Sequence, residues 1–282
     1  NAMVLTEEKI SDFAQFLLEE EKSEITIKKY VRDVCKFYDF AERKELSKTL
    51  TVEYKTELTN KYKPTSVNSM LAAVNKFMDF LNLPRFKVKP LKIQKILFLS
   101  EERELKKDEY YRLVDAARNS GNRRLMLIIE TIASTGIRIS ELKYITVEAI
   151  EERCADINCK GKRRVVLLTK KICVALKKYA KNKKIRSGAV FVTSSGKPID
   201  SSNIRKDMKK LAESAKVCKQ KIFPHNFRHF FARIFYTHTK DIVRLADILG
   251  HSSVDTTRIY TMESGGVHRR QLEKLNLVKY DC

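Results

Sequence analysis

Residues 135–142 have the sequence Thr-Gly-Ile-Arg-Ile-Ser-Glu-Leu, which predicts a sharp reversal between two helices. Glycine readily adopts positive φ, so Gly136 can end the first helix and turn the chain into the second. The reversal leaves Arg138 at the start of the second helix, where outward-pointing backbone N–H groups favour an anion. The same spacing allows a simpler interpretation, in which Arg138 only pairs with Glu141. The stretch therefore predicts either an anion site or an internal ion pair.

A short β-hairpin is predicted downstream, at residues 154–168, in a pattern that is otherwise mostly helical. Its turn falls near Lys160 and Gly161, because glycine again supplies positive φ. Lys160 should therefore lie at an exposed tip. A further short strand is expected at residues 189–192, and a helix with one apolar face follows Ser201.

A second polar segment, at residues 224–229, has the sequence Pro-His-Asn-Phe-Arg-His. It opens an apolar helix, since Pro224 suits a first helical turn. His225 and Arg228 are three residues apart and share a helix face. There a guanidinium fork and an imidazole, which can donate or accept a proton, can converge on one small anion. The alternative is a surface His–Arg pair without a function.

A third segment, at residues 249–253, has the sequence Leu-Gly-His-Ser-Ser. Gly250 would end one helix, and Ser253 could cap the next helix, which carries Tyr260. His251 would then be held at the break by the backbone. Tyr260 by itself could equally be a packing residue, because most of the eleven tyrosines are expected to be half buried.

Taken in order, the three segments and the hairpin resemble the tyrosine recombinase (phage integrase) family. Residues 135–142 are similar to the family's first box, and residues 225–229 to its His-x-x-Arg box. Residues 249–253, with Tyr260 beyond them, are similar to its third box and nucleophile. The resemblance implies a two-domain, Xer-like site-specific recombinase that cleaves and religates DNA through a 3′-phosphotyrosine intermediate. It implies six catalytic residues: Arg138, Lys160, His225, Arg228, His251 and Tyr260.

The catalytic lysine is the position where this sequence departs from the family's pattern. The family's hairpin carries Gly-Lys-Gly, whereas here Cys159 replaces the first glycine. Lys162 stands two residues beyond Lys160 and is its rival for the same role.

The resemblance also implies how the residues share the reaction. Arg138 and Arg228 would hold the non-bridging oxygens of the phosphate while Tyr260 attacks it. His225 would accept the proton of the tyrosine, and Lys160 would protonate the departing 5′ oxygen. His251 would hydrogen-bond the phosphate. No metal or other cofactor is implied, because the cationic side chains supply the positive charge.

The first part of the chain has apolar residues at helical spacing, which is typical of a helical bundle and resembles the family's core-binding (SAM-like) domain. Thr65 and Ser66 are predicted to cap its last helix. Pro84 and Pro90 bracket a basic segment that predicts a linker, either solvated or lying along DNA phosphates. We therefore expect a mainly α fold with a small β-hairpin. Its parts would be a helical core-binding domain at 3–84, a basic linker at 85–103, and a mostly helical catalytic domain with a C-terminal tail at 104–282.

The net charge of +22 favours a polyanionic partner. Residues 1–100 carry +4 and the rest of the chain +18, so most of the attraction lies in the second part. Nucleic acid is favoured over a membrane, because no apolar run approaches ~20 residues. The six cysteines show no paired CxxC spacing, so we expect reduced thiols in a cytoplasmic protein. The candidate DNA contacts are Lys28, Lys29, Lys87, Lys89, Lys162, Arg164, Arg205, Lys206 and Lys209.

The implied partners are double-stranded DNA and further copies of the same chain, which would form a homotetramer on paired DNA sites. A monomer in the absence of DNA is compatible with this. Residues 262–282 are expected to form a tail that docks on a neighbouring protomer, with packing on their own protomer as the alternative. The task would be DNA integration or excision by a mobile element, or resolution of joined DNA. The rival functions are a type IB topoisomerase and a catalytically silent DNA-binding accessory protein.

Overall fold

The computed structural model describes residues 4–42, 44–93, 104–159, 162–251, 253–258 and 273–275, with no side chain described for Cys159, Lys162 and Asp255. The chain divides into two compact units, residues 1–95 and 96–282.

The first unit contains four helices within its described residues. They are α1 (Glu7–Glu19), α2 (Glu24–Ala41), α3 (Lys48–Lys61) and α4 (Pro64–Phe80). Each of the first three begins after a Thr or Ser whose side-chain oxygen accepts a hydrogen bond from a backbone N–H of the first turn. Phe13, Phe37 and Phe77 are fully buried at its centre. The unit is thus a helical bundle with an aromatic core.

The predicted cap of α4 is wrong. The helix begins at Pro64, so Thr65 and Ser66 lie inside its first turn. Proline has no N–H and its φ is already helical, so it starts a helix without a polar side chain before it.

Residues 84–91, which we expected to lie at the start of a linker, pack against the core of the first unit. Pro84–Phe86 form a turn of 3₁₀ helix, and Val88 is buried. The side chain of Asn75 pairs with both the N–H and the carbonyl of Val88, each at 2.9 Å. Asn68 pairs in the same way with Leu91, at 2.7 and 2.9 Å. Two side-chain amides therefore provide hydrogen-bond partners for the N–H and carbonyl groups of an extended segment that has no regular partner strand.

The second unit is mostly helical, with one antiparallel hairpin in its described residues. Its helices are α5 (Lys107–Asn119), α6 (Arg123–Thr135), α7 (Val147–Glu152), α8 (Lys170–Asn182), α9 (Ser201–Ser214), α10 (Pro224–Thr239), α11 (Ile242–Leu249) and α12 (Val254–Thr257). Short 3₁₀ helices lie at Ile139–Tyr144 and Lys219–Lys221. The mainly α fold class is confirmed.

The predicted hairpin is present as β1 (Cys154–Cys159) and β2 (Lys162–Leu167), in a register that pairs Cys154 with Leu167. The strand expected at residues 189–192 is not formed. That segment makes only isolated bridges, from Ala189 to Thr146 and from Val192 to Pro198. Its neighbours on the two sides are different short segments, so no ladder can extend along it.

The core of the second unit places the site residues. Helix α6 buries Leu127, Ile128, Ile129 and Ile132, and it packs against α5, α8 and α10. Fully burying side chains of this size contributes about 1.5–3 kcal/mol each. The crossing of α6 with α10 brings the end of α6, at Gly136, next to the first turns of α10. A membrane-spanning helix is not found among the described residues, since none is both long enough and apolar enough.

Candidate active site

Arg228 lies at the centre of the site, on α10, and is only 1% exposed. Its Nη1 donates a hydrogen bond to the carbonyl of Gly136, and its Nη2 donates to the carbonyl of Leu249 at 2.7 Å. The same Nη2 lies 3.1 Å from Nε2 of His251. One guanidinium thus joins the ends of α6 and α11 and touches the histidine that follows α11.

Gly136 and Gly250 end these two helices with positive φ, +66° and +63°. A Cβ at Gly136 would lie 2.5 Å from the ring of Phe231, and one at Gly250 would lie 2.3 Å from Cδ of Arg164. Both positions therefore need glycine for backbone conformation and for space. The two predicted helix ends lie where the sequence placed them.

Arg138 directly precedes the 3₁₀ helix Ile139–Tyr144 and pairs with Glu141. Its backbone N–H donates to Oε2 of Glu141 at 2.9 Å, and its Nη1 lies 2.9 Å from Oε1. The internal ion pair that the sequence allowed is therefore present. The Arg138 side chain nevertheless remains 41% exposed, so it stays accessible to a ligand.

Glu141 is the buried anion of the site, with 4% of its surface exposed. Burial raises the pKa of Glu141. The N–H of Arg138 and the guanidinium groups of Arg164 and Arg138 outweigh that effect and hold the pKa below its usual value. The carboxylate is therefore charged at neutral pH and orients two arginines.

Arg164, which we expected to contact DNA, is instead an internal tie. Its Nη2 lies 2.5 Å from Oε2 of Glu141, and its Nη1 donates to the carbonyl of Ile248 at 2.7 Å. The physical reason is the alternation of a strand: Arg164 pairs with the buried Ile157, so both point inward, while Arg163 points outward. Arg164 thus fastens β2 both to Glu141 of the first box and to the end of α11.

His225 lies one turn before Arg228 on α10 and is stacked edge to face with His229. Their ring centroids are 4.5 Å apart and their planes meet at 89°. Partial burial and the charges of Arg228 and Arg138 lower the pKa of His225. Burial, with His225 and Arg228 nearby, lowers the pKa of His229 to about 4. Both imidazoles are therefore neutral at pH 7, which suits His225 as a proton acceptor.

His251 follows α11 and is held from both sides of its ring. Nε2 faces Arg228, and Nδ1 lies 2.9 Å from Oγ1 of the fully buried Thr257 on α12. Burial, followed by the charges of Arg228, Arg138 and Arg164 and by the neighbouring His225, lowers the pKa of His251 to about 4. The ring is neutral at pH 7.

The described part of the chain brings four predicted site residues together. Arg228 contacts His251 directly, and Arg138 and His225 lie close enough to shift the pKa of neighbouring groups. Lys160 and Tyr260 lie outside the described residues, as does the side chain of Lys162. Of the tail at 262–282, only residues 273–275 are described.

The other candidate DNA contacts differ in how far they are engaged within the protein. Lys28 pairs with exposed Glu24, Lys29 with buried Asp33, and Lys87 with Asp79. Four candidates have exposed side chains and no ion pair within the described residues: Lys89, Arg205, Lys206 and Lys209. Three of these lie on α9, and one of them, Lys206, also lines a groove with Arg124.

Sequence reasoning missed three contributors to the site. Glu141 was considered only as a rival partner of Arg138, Arg164 was assigned to DNA, and Thr257 was not considered. An acid three residues after an arginine was a usable signal for Glu141. For Thr257 the sequence carried no signal, because its contact depends on how α12 folds back on His251.

The site can bind and polarise an anion. It combines two guanidinium groups, two neutral imidazoles and a carboxylate that is already paired. Among the residues that the structure describes, no group of three or more His, Cys, Asp or Glu side chains is placed to hold a metal ion.

Comparison with known proteins agrees with this arrangement. The model of the phage integrase family matches residues 103–265, and that of the phage integrase N-terminal SAM-like domain matches residues 10–83. Tyrosine recombinase XerH of Campylobacter jejuni is 30% identical over 254 residues, which cover 83% of this chain and 72% of that protein.

Two solved structures share the fold. XerH recombinase bound to its difH substrate has a TM-score of 0.70 at 17% identity, covering 98% of this chain and 85% of that one. A lambda integrase tetramer bound to a Holliday junction has a TM-score of 0.71 at 15% identity, covering 92% and 78%. Since the catalytic family model spans more than half of the sequence, the chain belongs to the phage integrase family.

Proposed function

We propose that this protein is a site-specific DNA recombinase, which breaks and rejoins DNA through a temporary covalent bond between Tyr260 and a backbone phosphate. The observation that carries the proposal is the position of Arg228, which is buried where the first and third boxes meet and touches His251. A buried cation joined to both boxes supports one phosphate site built from all three. The topoisomerase and accessory functions are not favoured by this family membership.

The reaction needs positive charge where the phosphorus becomes five-coordinate. Arg228 and the more exposed Arg138 bind the non-bridging oxygens, and Glu141 orients Arg138. Deleting one such donor typically slows a reaction by about 100- to 1,000-fold. Removal of either arginine should therefore slow cleavage by about this factor.

The proton transfers assign the remaining residues. The oxygen of Tyr260 forms a bond to phosphorus and gives its proton to His225, whose lowered pKa keeps it neutral and ready to accept. The bond to the 5′ oxygen breaks, and Lys160 protonates that oxygen, leaving a 5′ hydroxyl and a 3′-phosphotyrosine. Lys162 is the alternative donor. A 5′ hydroxyl of another strand reverses the steps, so exchange needs no external energy source.

The partners follow from the same reaction. Strand exchange joins two DNA duplexes, so we propose four protomers on paired sites, with residues 262–282 reaching a neighbouring protomer. The lambda integrase tetramer bound to a Holliday junction supports this number of protomers. A DNA substrate supports the location that we propose for the protein, the cytoplasm. The choice between chromosomal resolution and movement of a mobile element is decided by the DNA that Tyr260 captures.

The test uses nicked DNA that traps the covalent intermediate. The wild-type protein should form an adduct that survives denaturation, and Tyr260→Phe should form none. Tyr111→Phe is the matched control, because Tyr111 is exposed on α5 and outside the site, and it should form the adduct normally. An adduct with Tyr260→Phe would contradict the assigned nucleophile.

An assay on DNA that carries paired recombination sites distinguishes a recombinase from a topoisomerase and from an accessory protein. Exchanged products are expected from the wild-type protein. Relaxation of supercoiled DNA without exchanged products would indicate a topoisomerase. A wild-type protein that binds DNA but forms no adduct would indicate an accessory protein.

A further inference from the structure

Thr257 is a polar residue whose burial the proposed reaction does not explain. It is fully buried at the end of α12, and its Oγ1 lies 2.9 Å from Nδ1 of His251. Burying a hydroxyl is unfavourable unless it is hydrogen-bonded, so this contact is the reason that a polar residue is tolerated there. Thr257 also stands three residues before Tyr260 in the sequence.

The direction of the hydrogen bond follows from Arg228. A guanidinium group only donates, so Nε2 of His251, 3.1 Å from Nη2 of Arg228, must accept. The neutral ring has a single N–H, which must then be on Nδ1 and must donate to Oγ1 of Thr257. In the opposite tautomer two donors would face each other at Nε2.

The electrostatic surroundings favour a neutral ring. Three arginines and a histidine act on His251 from several elements: Arg228 and His225 on α10, Arg138 before the 3₁₀ helix, and Arg164 on β2. Burial of the ring and the charges of these neighbours therefore both oppose a second proton. The ring therefore carries one proton, and two contacts together keep it on Nδ1: the donor Arg228 at Nε2 and the acceptor hydroxyl of Thr257 at Nδ1.

We propose that Thr257 is a positioning residue, which holds His251 in the Nδ1-protonated tautomer and keeps Nε2 turned toward Arg228. In this tautomer the ring has no N–H left for the phosphate, so His251 acts by orienting Arg228 and not by the direct hydrogen bond that the family resemblance implied. The hydroxyl also ties His251 to the helix that leads to Tyr260. The effect of Thr257 on catalysis rests on the proposed function, whereas the tautomer of His251 is a property of the protein without DNA. Without the hydroxyl, the buried Nδ1–H would lose its acceptor, and the ring would change tautomer or rotate.

The direct test is the tautomer of His251 in the absence of DNA. Nitrogen NMR of protein with ¹⁵N-labelled imidazoles distinguishes a protonated from a bare ring nitrogen, and the signals of His251 are assigned by their loss in His251→Gln. The wild-type protein and Thr257→Ser, which keeps the hydroxyl, should carry the proton on Nδ1. Thr257→Val, which has nearly the same shape without a hydroxyl, should lose that pattern.

The matched control is Thr131→Val. Thr131 is also fully buried, but its hydroxyl donates to the carbonyl of Leu127 on its own helix, at 2.7 Å. This variant should leave the signals of His251 unchanged. A wild-type spectrum with the proton on Nε2 would overturn the proposal even if no variant folded. An unchanged spectrum in folded Thr257→Val would also overturn it.

The reaction supplies a second measurement. In single-turnover cleavage of nicked DNA, the rate for Thr257→Val should be about 10- to 100-fold lower than for the wild-type protein. A histidine that loses the hydrogen-bond partner that orients it loses activity by about this factor. The concentration of protein that half-saturates the DNA should stay the same, and Thr257→Ser should recover most of the rate. Equal cleavage rates for the wild-type protein, Thr257→Val and Thr257→Ser would contradict the effect of Thr257 on catalysis. Absence of any wild-type adduct would instead contradict the proposed function and leave the tautomer result standing.

Discussion

Glu141 combines two demands that usually conflict in a protein interior. A buried charge is unfavourable by itself, yet this one is satisfied by a backbone N–H and two guanidinium groups. Its stabilising effect therefore depends on all of its partners remaining in place. Its functional effect is to fix the direction of Arg138.

Glu141→Gln keeps the size of the side chain and removes its charge. We expect the free energy of unfolding to fall by about 3–5 kcal/mol, because Arg164 would keep a buried guanidinium without its anion. The control is Asp156→Asn, since Asp156 pairs with Arg163 at the surface, where such a pair contributes less than about 1 kcal/mol. Urea unfolding of the two variants measures the difference, and equal losses would refute the structural role of Glu141.

Two histidines of the site predict how stability varies with pH. Folding lowers the pKa of His229 and of His251 from 6.5 to about 4, so the unfolded chain binds these protons more readily. The free energy of unfolding should be greatest above about pH 6.5 and fall as the pH drops toward 4. The expected loss between pH 7 and pH 5 is about 1 kcal/mol for each histidine, after allowance for their partial exposure.

Urea unfolding at the two pH values measures this loss. His229→Gln cannot be protonated in this range, so it should reduce the difference between pH 7 and pH 5. Equal stability of the wild-type protein at both values would contradict the lowered pKa values.

At the scale of secondary structure, the site is made by two helix ends and the inward face of one strand. The end of α6, the end of α11 and the inward face of β2 meet around Arg228 and Arg164. Both arginines donate to main-chain carbonyls at these ends. Each arginine therefore links elements that the sequence keeps far apart.

Gly250→Ala tests this junction. Positive φ alone destabilises an alanine by about 1–2 kcal/mol. Here the new Cβ would also meet Cδ of Arg164 at 2.3 Å, and the guanidinium group of that side chain is held by hydrogen bonds from both of its Nη atoms. The matched control is Gly121→Ala, which has φ of +71° but open space around its Cβ.

We expect the free energy of unfolding of Gly121→Ala to fall only by the amount due to positive φ. That of Gly250→Ala should fall by at least about 1 kcal/mol more, because its new Cβ is overpacked against Arg164. Urea unfolding measures both values. Equal destabilisation would mean that Arg164 moves aside without loss, and the tie between β2 and α11 would then be unimportant.

At the scale of the whole molecule, charge governs the encounter with DNA. The net charge of +22 lies mostly in the second part of the chain, where α9 exposes Arg205, Lys206 and Lys209. Contacts to phosphates release counterions, so affinity should fall steeply with salt. A protein that neutralises about six to ten phosphates loses about 10³- to 10⁵-fold between 50 and 200 mM salt.

Titration of a DNA duplex at several salt concentrations checks this expectation. Replacing Lys206 by alanine should lower the slope of log affinity against log salt by about one, if that lysine neutralises a phosphate. If the affinity of the wild-type protein hardly changed with salt, contacts to phosphates could not dominate its binding to DNA.

Much of the architecture follows from local patterns in the sequence. Helical spacing, the hairpin of β1 and β2 and the helix ends at Gly136 and Gly250 each depend on neighbouring residues. The order of the boxes was also enough to indicate the family. The prediction failed at Pro64, which begins α4 without a polar cap before it. Residues 84–91 have no clear helical or strand period and were expected to begin a linker; the structure packs them against the core of the first unit.

Contacts between distant residues were decided only by the tertiary structure. Residues 84–91 are held by Asn68 and Asn75, which stand on another element. Arg164 points inward because of the register of β2, and it meets an acid 23 positions earlier in the chain. Spacing along the sequence determines which side chains share one helix or strand. Which elements then face each other depends on how their apolar surfaces pack, and that packing selected the partners of the site.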